Sequence, residues 1–374
     1  MYVMAKPAGA LCNLRCRYCY YIDKERGRDG FMSDRLLEEF IKQYIAAQTM
    51  PQVLFTWHGG EPLLRDVSFY EKVVRLQDKY ACGKQVDNCL QTNGTLIDDT
   101  LAQFFHDHGW LLGVSIDGPR RVHDAYRRNA NGRPTFDDVM RGIDILNRHG
   151  VEWNAMAVVT DKSVESPLEF YHFFKSIGCR YIQFEPIVDA TMPGMLTPQS
   201  VTPEAWGLFL CAIFDEWVRH DVGETFVQLF DAVLANWCGV TPGVCSLAKH
   251  CGHAGVMTHD GDVYSCDHFV FPKYKLGNIM EKPLASLMYS ERQGAFGAAK
   301  FKTLPRECRE CRWLFTCWGE CPKNRLSVTA DGEPGLNYLC PGYRMFFDHV
   351  APYMDYMRRR IEAGGEAADI MKVL

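Results

Sequence analysis

Cys12, Cys16 and Cys19 stand on one short stretch, LCNLRCRYCYY, with the spacing C-x3-C-x2-C. Three thiolates leave a metal's fourth position open, and the nearest histidine in sequence is His58. Thiolates select iron–sulfur clusters and zinc. A structural zinc site is closed by four protein ligands. The triplet therefore fits a cluster with one unligated iron, and a zinc site completed by a distant residue is the alternative. Eight more cysteines fall between Cys245 and Cys340. Cys251 to Cys266 reads C-x9-G-x4-C with Gly261 as the glycine, and Cys308, Cys311, Cys317 and Cys321 read C-x2-C-x5-C-x3-C. Eight thiols make two complete four-thiolate sets; a pair of zinc ribbons has compatible spacing. Of the 16 cysteines in all, Cys82, Cys89, Cys179, Cys211 and Cys238 remain outside these groups and read as ordinary structural cysteines.

The elements that must position these residues alternate. Apolar, β-rich runs at 2–6, 53–57, 86–91, 111–116, 152–159 and 180–184 are each followed by a helical pattern. Ser33 suits an N-cap for a helix over 33–48, with Leu36, Leu37, Phe40, Ile41, Tyr44 and Ile45 on one face. Thr135 suits the cap of the next clear helix, with Asp138 in the capping-box position and Gly150 as its stop. Further helices are expected near 67–80, 98–108, 166–177 and 204–220. Six β-then-α units predict a parallel sheet with crossover helices. A full barrel needs eight, so the expected fold is α/β, a partial (β/α)6 TIM-like barrel over 1–220. A loop-rich, cysteine-rich extension over 221–374 follows, with a C-terminal helix. A flat doubly wound sheet is the competing fold.

In parallel α/β folds, functional residues gather beyond the strands' C-terminal ends. The cysteine loop, HGGEP (58–62), TNGT (92–95), SIDGP (115–119) and FEPI (184–187) all follow strands and should share one rim. Gly59 and Gly60 allow backbone to approach a ligand closely; a plain turn with Pro62 opening a helix is the other reading.

The chain has 374 residues and a formal net charge of -5. Mixed charge excludes the basic field of a nucleic-acid binder. No apolar run reaches membrane-spanning length. The first residues lack a signal-peptide pattern, and the cysteine usage fits metal or redox chemistry in a reducing compartment, so a cytoplasmic protein is expected.

The triplet with an aromatic before its last cysteine, followed by GGEP, resembles the radical S-adenosylmethionine superfamily. That resemblance implies a 4Fe–4S cluster on Cys12, Cys16 and Cys19 whose open iron binds S-adenosylmethionine. It implies that Gly59, Gly60 and Glu61 meet the methionine amino group. It also implies cofactor contacts from Ser115, Asp117 and Arg127, and from Tyr18, Gly60 and Val188. The tail resembles the SPASM extension, which carries two auxiliary 4Fe–4S clusters, three in all. By its interleaved pattern, Cys245, Cys251, Cys266 and Cys321 would hold one, and Cys308, Cys311, Cys317 and Cys340 the other.

The full set, with CxLxxxCG from Cys245 and YSCDHFV around Cys266, is most similar to the anaerobic sulfatase-maturating enzymes. The resemblance implies oxidation of a cysteine or serine, in a C/S-x-P-x-R segment of an unfolded or nascent sulfatase, to Cα-formylglycine. It makes Asp267 the general base, and a flavodoxin- or ferredoxin-type protein the electron donor. His58 stands where some relatives carry glutamine. The rivals are a SPASM enzyme that cross-links peptides through thioethers, a radical alcohol dehydrogenase, and a non-catalytic zinc protein. The first often carries a leader-binding domain before the cysteine loop, for which Cys12 leaves no room.

Overall fold

Strand β1 (Tyr2–Ala5) pairs in parallel with β2 (Gln52–Trp57), β2 with β3 (Gln85–Thr92), and β3 with β4 (Leu111–Ser115). β5 (Trp153–Val159) pairs in parallel with β6 (Tyr181–Pro186). All six are where the alternation of apolar runs puts them. The computed structural model describes residues 1–22, 30–192 and 195–374. Two compact units divide the chain. The first takes Met1–Ser115, Tyr126–Trp153 and Gly252–Gly297; the second takes Ile116–Ala125, Asn154–Cys251 and Ala298–Leu374. Each unit therefore draws chain from both sides of residue 220.

In the first unit, helix α1 (Asp34–Ala47) starts where Ser33 accepts the Leu36 N–H at 3.2 Å, and it buries the six residues of its expected apolar face. Phe40 and Tyr44 pack on Phe55, and Phe40 on Trp57, which links α1 to β2. α2 (Val67–Tyr80), α3 (Asp99–Asp107) and α5 (Phe136–His149) follow the next strands, with α4 (Arg120–Tyr126) lying in the second unit save its last residue. Gly150 stops α5 in the left-handed conformation, φ 66°. Thr135 does not cap α5. Its backbone is outside the extended region and its hydroxyl instead donates to the Arg127 carbonyl at 3.1 Å.

The tail is more regular than a loop-rich reading expects. Ala254–Met257 pairs in parallel with β1 along its whole length, and Asp262–Tyr264 and Lys275–Asn278 continue antiparallel beyond it. The run CGHAGVMT is short, glycine-bearing and flanked by histidine and threonine, so nothing local marks it as a strand; pairing with β1 makes it one.

In the second unit, α6 (Pro167–Ser176) and α7 (Pro203–His220) flank β6, and a helix over Cys340–Glu362 lies against α7. Gly207 and Gly342 allow that crossing: a Cβ on Gly342 would stand 2.1 Å from the Pro203 carbonyl oxygen. Among the described residues no helix is long and apolar enough to cross a membrane.

Candidate active site

The cysteine loop leaves β1 and is fixed to its neighbours through backbone. Gly60 N–H donates to the Gly9 carbonyl at 2.7 Å and Glu61 N–H to the Leu11 carbonyl at 2.8 Å. A Cβ at Gly60 would stand 2.1 Å from the Leu11 oxygen, so only glycine fits against the loop here. On the other side, Arg15 N–H donates to the Arg128 carbonyl at 2.7 Å and Arg17 N–H to the Tyr126 carbonyl at 3.0 Å. Leu14 N–H points at the Cys12 sulfur, 3.3 Å away, and the Asn93 side-chain amide lies 3.8 Å from it. Burial pushes the Cys12 thiol up to about 12, and the Glu61 carboxyl adds to that. Cys16 and Cys19 are half-buried on the same loop.

Glu61 is completely buried. Its Oε1 accepts from Leu63 N–H and the Thr92 hydroxyl, both at 2.8 Å, and its Oε2 from Asn93 N–H at 2.8 Å. Burial raises its carboxyl to about 7 against these donors and the Arg127 charge. The carboxylate thus ties HGGEP to TNGT, and Asn93 carries the tie on to Cys12.

Tyr18 is buried, and the Arg127 guanidinium lies 5.6 Å from its ring centroid. Ser115, at the end of β4, accepts from the Gln91 amide at 3.0 Å. These residues and the triplet share the first unit. Asp117 and Val188 belong to the second. Asp117 accepts the Val158 N–H at 3.0 Å and so holds the end of β5, and Val188 is buried just past β6.

Asp267 follows Cys266 at the start of a short turn. Its Oδ1 lies 2.7 Å from Lys6 Nζ, the Lys6 side chain is 0% exposed, and the Tyr20 hydroxyl donates to Oδ2. Burial alone would push the Asp267 carboxyl up. Lys6 above all reverses this and holds it well below the usual carboxylate range. Lys6 Nζ also sits 3.6 Å from the Tyr21 ring centroid, a cation–π contact. His58 accepts the Gly59 N–H on Nδ1 at 2.7 Å, which places the proton of the neutral ring on Nε2. Burial, then the Lys6 charge, lowers His58 to about 4. The group is therefore a carboxylate with a phenol, an ammonium and a neutral imidazole around it. Sequence reasoning singles out Asp267 but not Lys6 beside it, although a lysine ending the apolar strand YVMAK is the available signal.

Seven thiols of the second unit fall into two groups. Cys308, Cys311, Cys317 and Cys340 line one cavity, walled by Trp313, Leu314, Tyr343 and Phe347. Burial pushes Cys317 up to about 12 and Cys340 up to about 11. Four thiols around a mostly apolar space fit a four-thiolate cluster, which replaces their protons with iron. Among the described residues no three His, Cys, Asp or Glu side chains converge closely enough for a single ion. The Cys245 carbonyl accepts from the buried Lys300, and the thiols of Cys245, Cys251 and Cys321 favour its charged form through space.

Comparison with known proteins agrees with this arrangement. The Radical SAM superfamily model matches residues 8–174, and the SPASM iron–sulfur cluster-binding model matches residues 251–312. A serine-type anaerobic sulfatase-maturating enzyme from Bacteroides thetaiotaomicron is 58% identical over 100% of this chain and 95% of its own. A cysteine-type enzyme from Clostridium perfringens is 32% identical over 94% and 96% of the two chains. The solved structure of native anSMEcpe with bound AdoMet superposes with a TM-score of 0.87 at 31% identity, over 96% of this chain and 99% of that one. The same protein has been solved with AdoMet and a Cp18Cys peptide. The chain is an α/β radical S-adenosylmethionine enzyme with a SPASM iron–sulfur domain, and it belongs to the anaerobic sulfatase-maturating enzymes.

Proposed function

We propose that the chain oxidises a serine, and also a cysteine, in a C/S-x-P-x-R segment of an unfolded sulfatase to Cα-formylglycine. The observation that carries this is the Asp267 carboxylate, ionised by Lys6 and bonded to Tyr20, one residue from the cluster cysteine Cys266. The relatives add weight to serine: the serine-type enzymes of Bacteroides thetaiotaomicron and Klebsiella aerogenes are 58% and 37% identical, the cysteine-type enzyme of Clostridium perfringens 32%.

When bound, the cofactors supply a 5′-deoxyadenosyl radical that removes one Cβ hydrogen from the substrate and a one-electron sink for the second oxidising equivalent. The chain's own residues do the rest. Asp267 takes the hydroxyl or thiol proton, so that electron loss yields a carbonyl, or a thiocarbonyl that water converts to the aldehyde. Tyr20 and Lys6 hold the carboxylate in one orientation, and His58 keeps a neutral donor beside it. Gly59, Gly60 and the Glu61 segment, with Tyr18, Ser115 and Arg127, would contact S-adenosylmethionine within the first unit. The three cysteine sets would hold three 4Fe–4S clusters, or about twelve irons per chain. We place the functional boundary between barrel and SPASM extension near residue 220. A small flavodoxin- or ferredoxin-type protein would reduce the first cluster, in the cytoplasm.

The test is mass spectrometry of paired peptides, one with Ser and one with Cys at the reactive position. Each is incubated without oxygen with reconstituted enzyme, reductant and S-adenosylmethionine, beside Asp267→Asn. Formylglycine from the Ser peptide, with 5′-deoxyadenosine formed and product lost in the variant, is the expected result. Cofactor cleavage with both peptides unchanged would sink the reading.

A further inference from the structure

Lys300 is 1% exposed, inside the second unit. Its Nζ donates to the carbonyls of Cys245 and Ser246, at 2.6 Å each. Neither partner carries charge. The thiols of Cys251, Cys245 and Cys321 and the Glu320 carboxylate are the groups that act on it through space. Glu320 is buried as well, but its Oε2 accepts from the side-chain amides of Asn337, at 2.5 Å, and Asn324, at 3.3 Å. A second cation, Arg325, spends its guanidinium on backbone: its Nη1 donates to the Lys300 carbonyl at 2.7 Å and its Nε to the Gly319 carbonyl at 3.2 Å.

Clamping two carbonyls needs only N–H donors, which a neutral amide supplies. Burying an ammonium for that purpose alone is expensive. Lys300 and Arg325 both feel the one Glu320 carboxylate, so a positive charge is left over, and a thiolate-held iron–sulfur cluster is an anion that would balance it. Such a cluster gains one negative charge when it takes one electron, so a fixed cation beside it favours the reduced form. Net charge near the cluster is one of the protein's levers on reduction potential.

We infer that Lys300 is the charge that sets the reduction potential of the auxiliary cluster held by Cys245, Cys251 and Cys321, raising it so that the cluster can take the electron released by the substrate. This rests on the proposed role of that cluster as electron acceptor. The balance is one electron: the deprotonated substrate radical loses it and becomes the carbonyl, and the cluster gains it. Lys300 touches neither substrate nor reacting atoms; it acts through the cluster.

The experiment is a redox titration followed by electron paramagnetic resonance, with no substrate present. The background carries Cys12, Cys16 and Cys19 replaced by Ala, so that only auxiliary clusters report. Lys300→Met and Lys300→Gln are compared with Lys300→Arg, with iron and labile sulfide measured for each. In both neutral variants, one of the two auxiliary midpoints should fall by at least tenfold in the reduction equilibrium, about 59 mV for one electron. The other midpoint should stay, and Arg should restore the first. Unmoved midpoints in fully loaded neutral variants overturn the inference. So does loss of iron from both neutral variants, which would make Lys300 a structural clamp. An unloaded parent protein would instead remove the cluster reading itself, and the iron assay tells these apart. Peptide oxidation is not needed for any of these readouts, so failure of the sulfatase reading would show separately.

Discussion

Lys6 Nζ and Asp267 Oδ1 are 2.7 Å apart, and they join the end of β1 to the residue after Cys266. One end of this pair is fully buried, so removing either partner leaves a charge without its counter-ion. Lys6→Met should destabilise the protein by about 3 kcal/mol, the scale for breaking such a pair. It should also abolish peptide oxidation while leaving 5′-deoxyadenosine formation measurable. Adding Asp267→Asn to Lys6→Met should recover part of the lost stability in urea denaturation. Equal stability of the single and double variants would contradict the pairing.

Gly60 predicts a failure of a different kind. The Leu11 oxygen occupies the place a side chain would take. Gly60→Ala should displace the Leu11–Cys12 backbone, lowering iron at the triplet while the auxiliary clusters stay loaded. Iron analysis and electron paramagnetic resonance on the reduced protein read this directly.

His58 gives a pH dependence with a definite sign. Its ordinary value is 6.5 and the folded protein lowers it to about 4. The unfolded chain therefore binds the proton first, and the contribution to stability is fully present above pH 6.5 and is lost as pH falls toward 4. The loss is at most about 3 kcal/mol at 1.36 kcal/mol per unit. Urea midpoints taken at pH 7 and pH 5 should converge more in His58→Gln than in the parent. An unchanged pH slope would show that His58 is not held neutral by its surroundings.

Thr135 should separate cofactor binding from cluster assembly. Its hydroxyl satisfies the carbonyl of Arg127, whose guanidinium lies over Tyr18. Thr135→Val removes this one donor, worth about 1 kcal/mol, and should raise KM for S-adenosylmethionine by up to roughly fivefold. Iron content should not change.

The strands and helices of the alternating stretch were legible because each is driven by its own periodicity. The six apolar residues of α1 and its Ser33 cap are examples. Thr135 shows the limit of local signals. Its type suits a cap, yet a tertiary partner 8 residues away claims the hydroxyl. Ala254–Met257 is a strand only because β1 lies beside it. At the site, cysteine spacing marks the proposed ligands, since metal geometry constrains neighbours in sequence. Lys6 and Lys300 are single lysines whose meaning comes from what folds around them, so no spacing reveals them.

The close fit of Gly60 against Leu11 has a consequence for how such a chain can change over time. Two segments about fifty residues apart share one set of backbone contacts with no side chain between them to absorb a shift. Neither can drift alone. An insertion in the Gly9–Leu11 stretch would be tolerated only with a matching change in the glycine turn. Across descendants of this sequence the two segments should therefore be inherited as a single block, whatever happens to the peptide-facing surfaces around them.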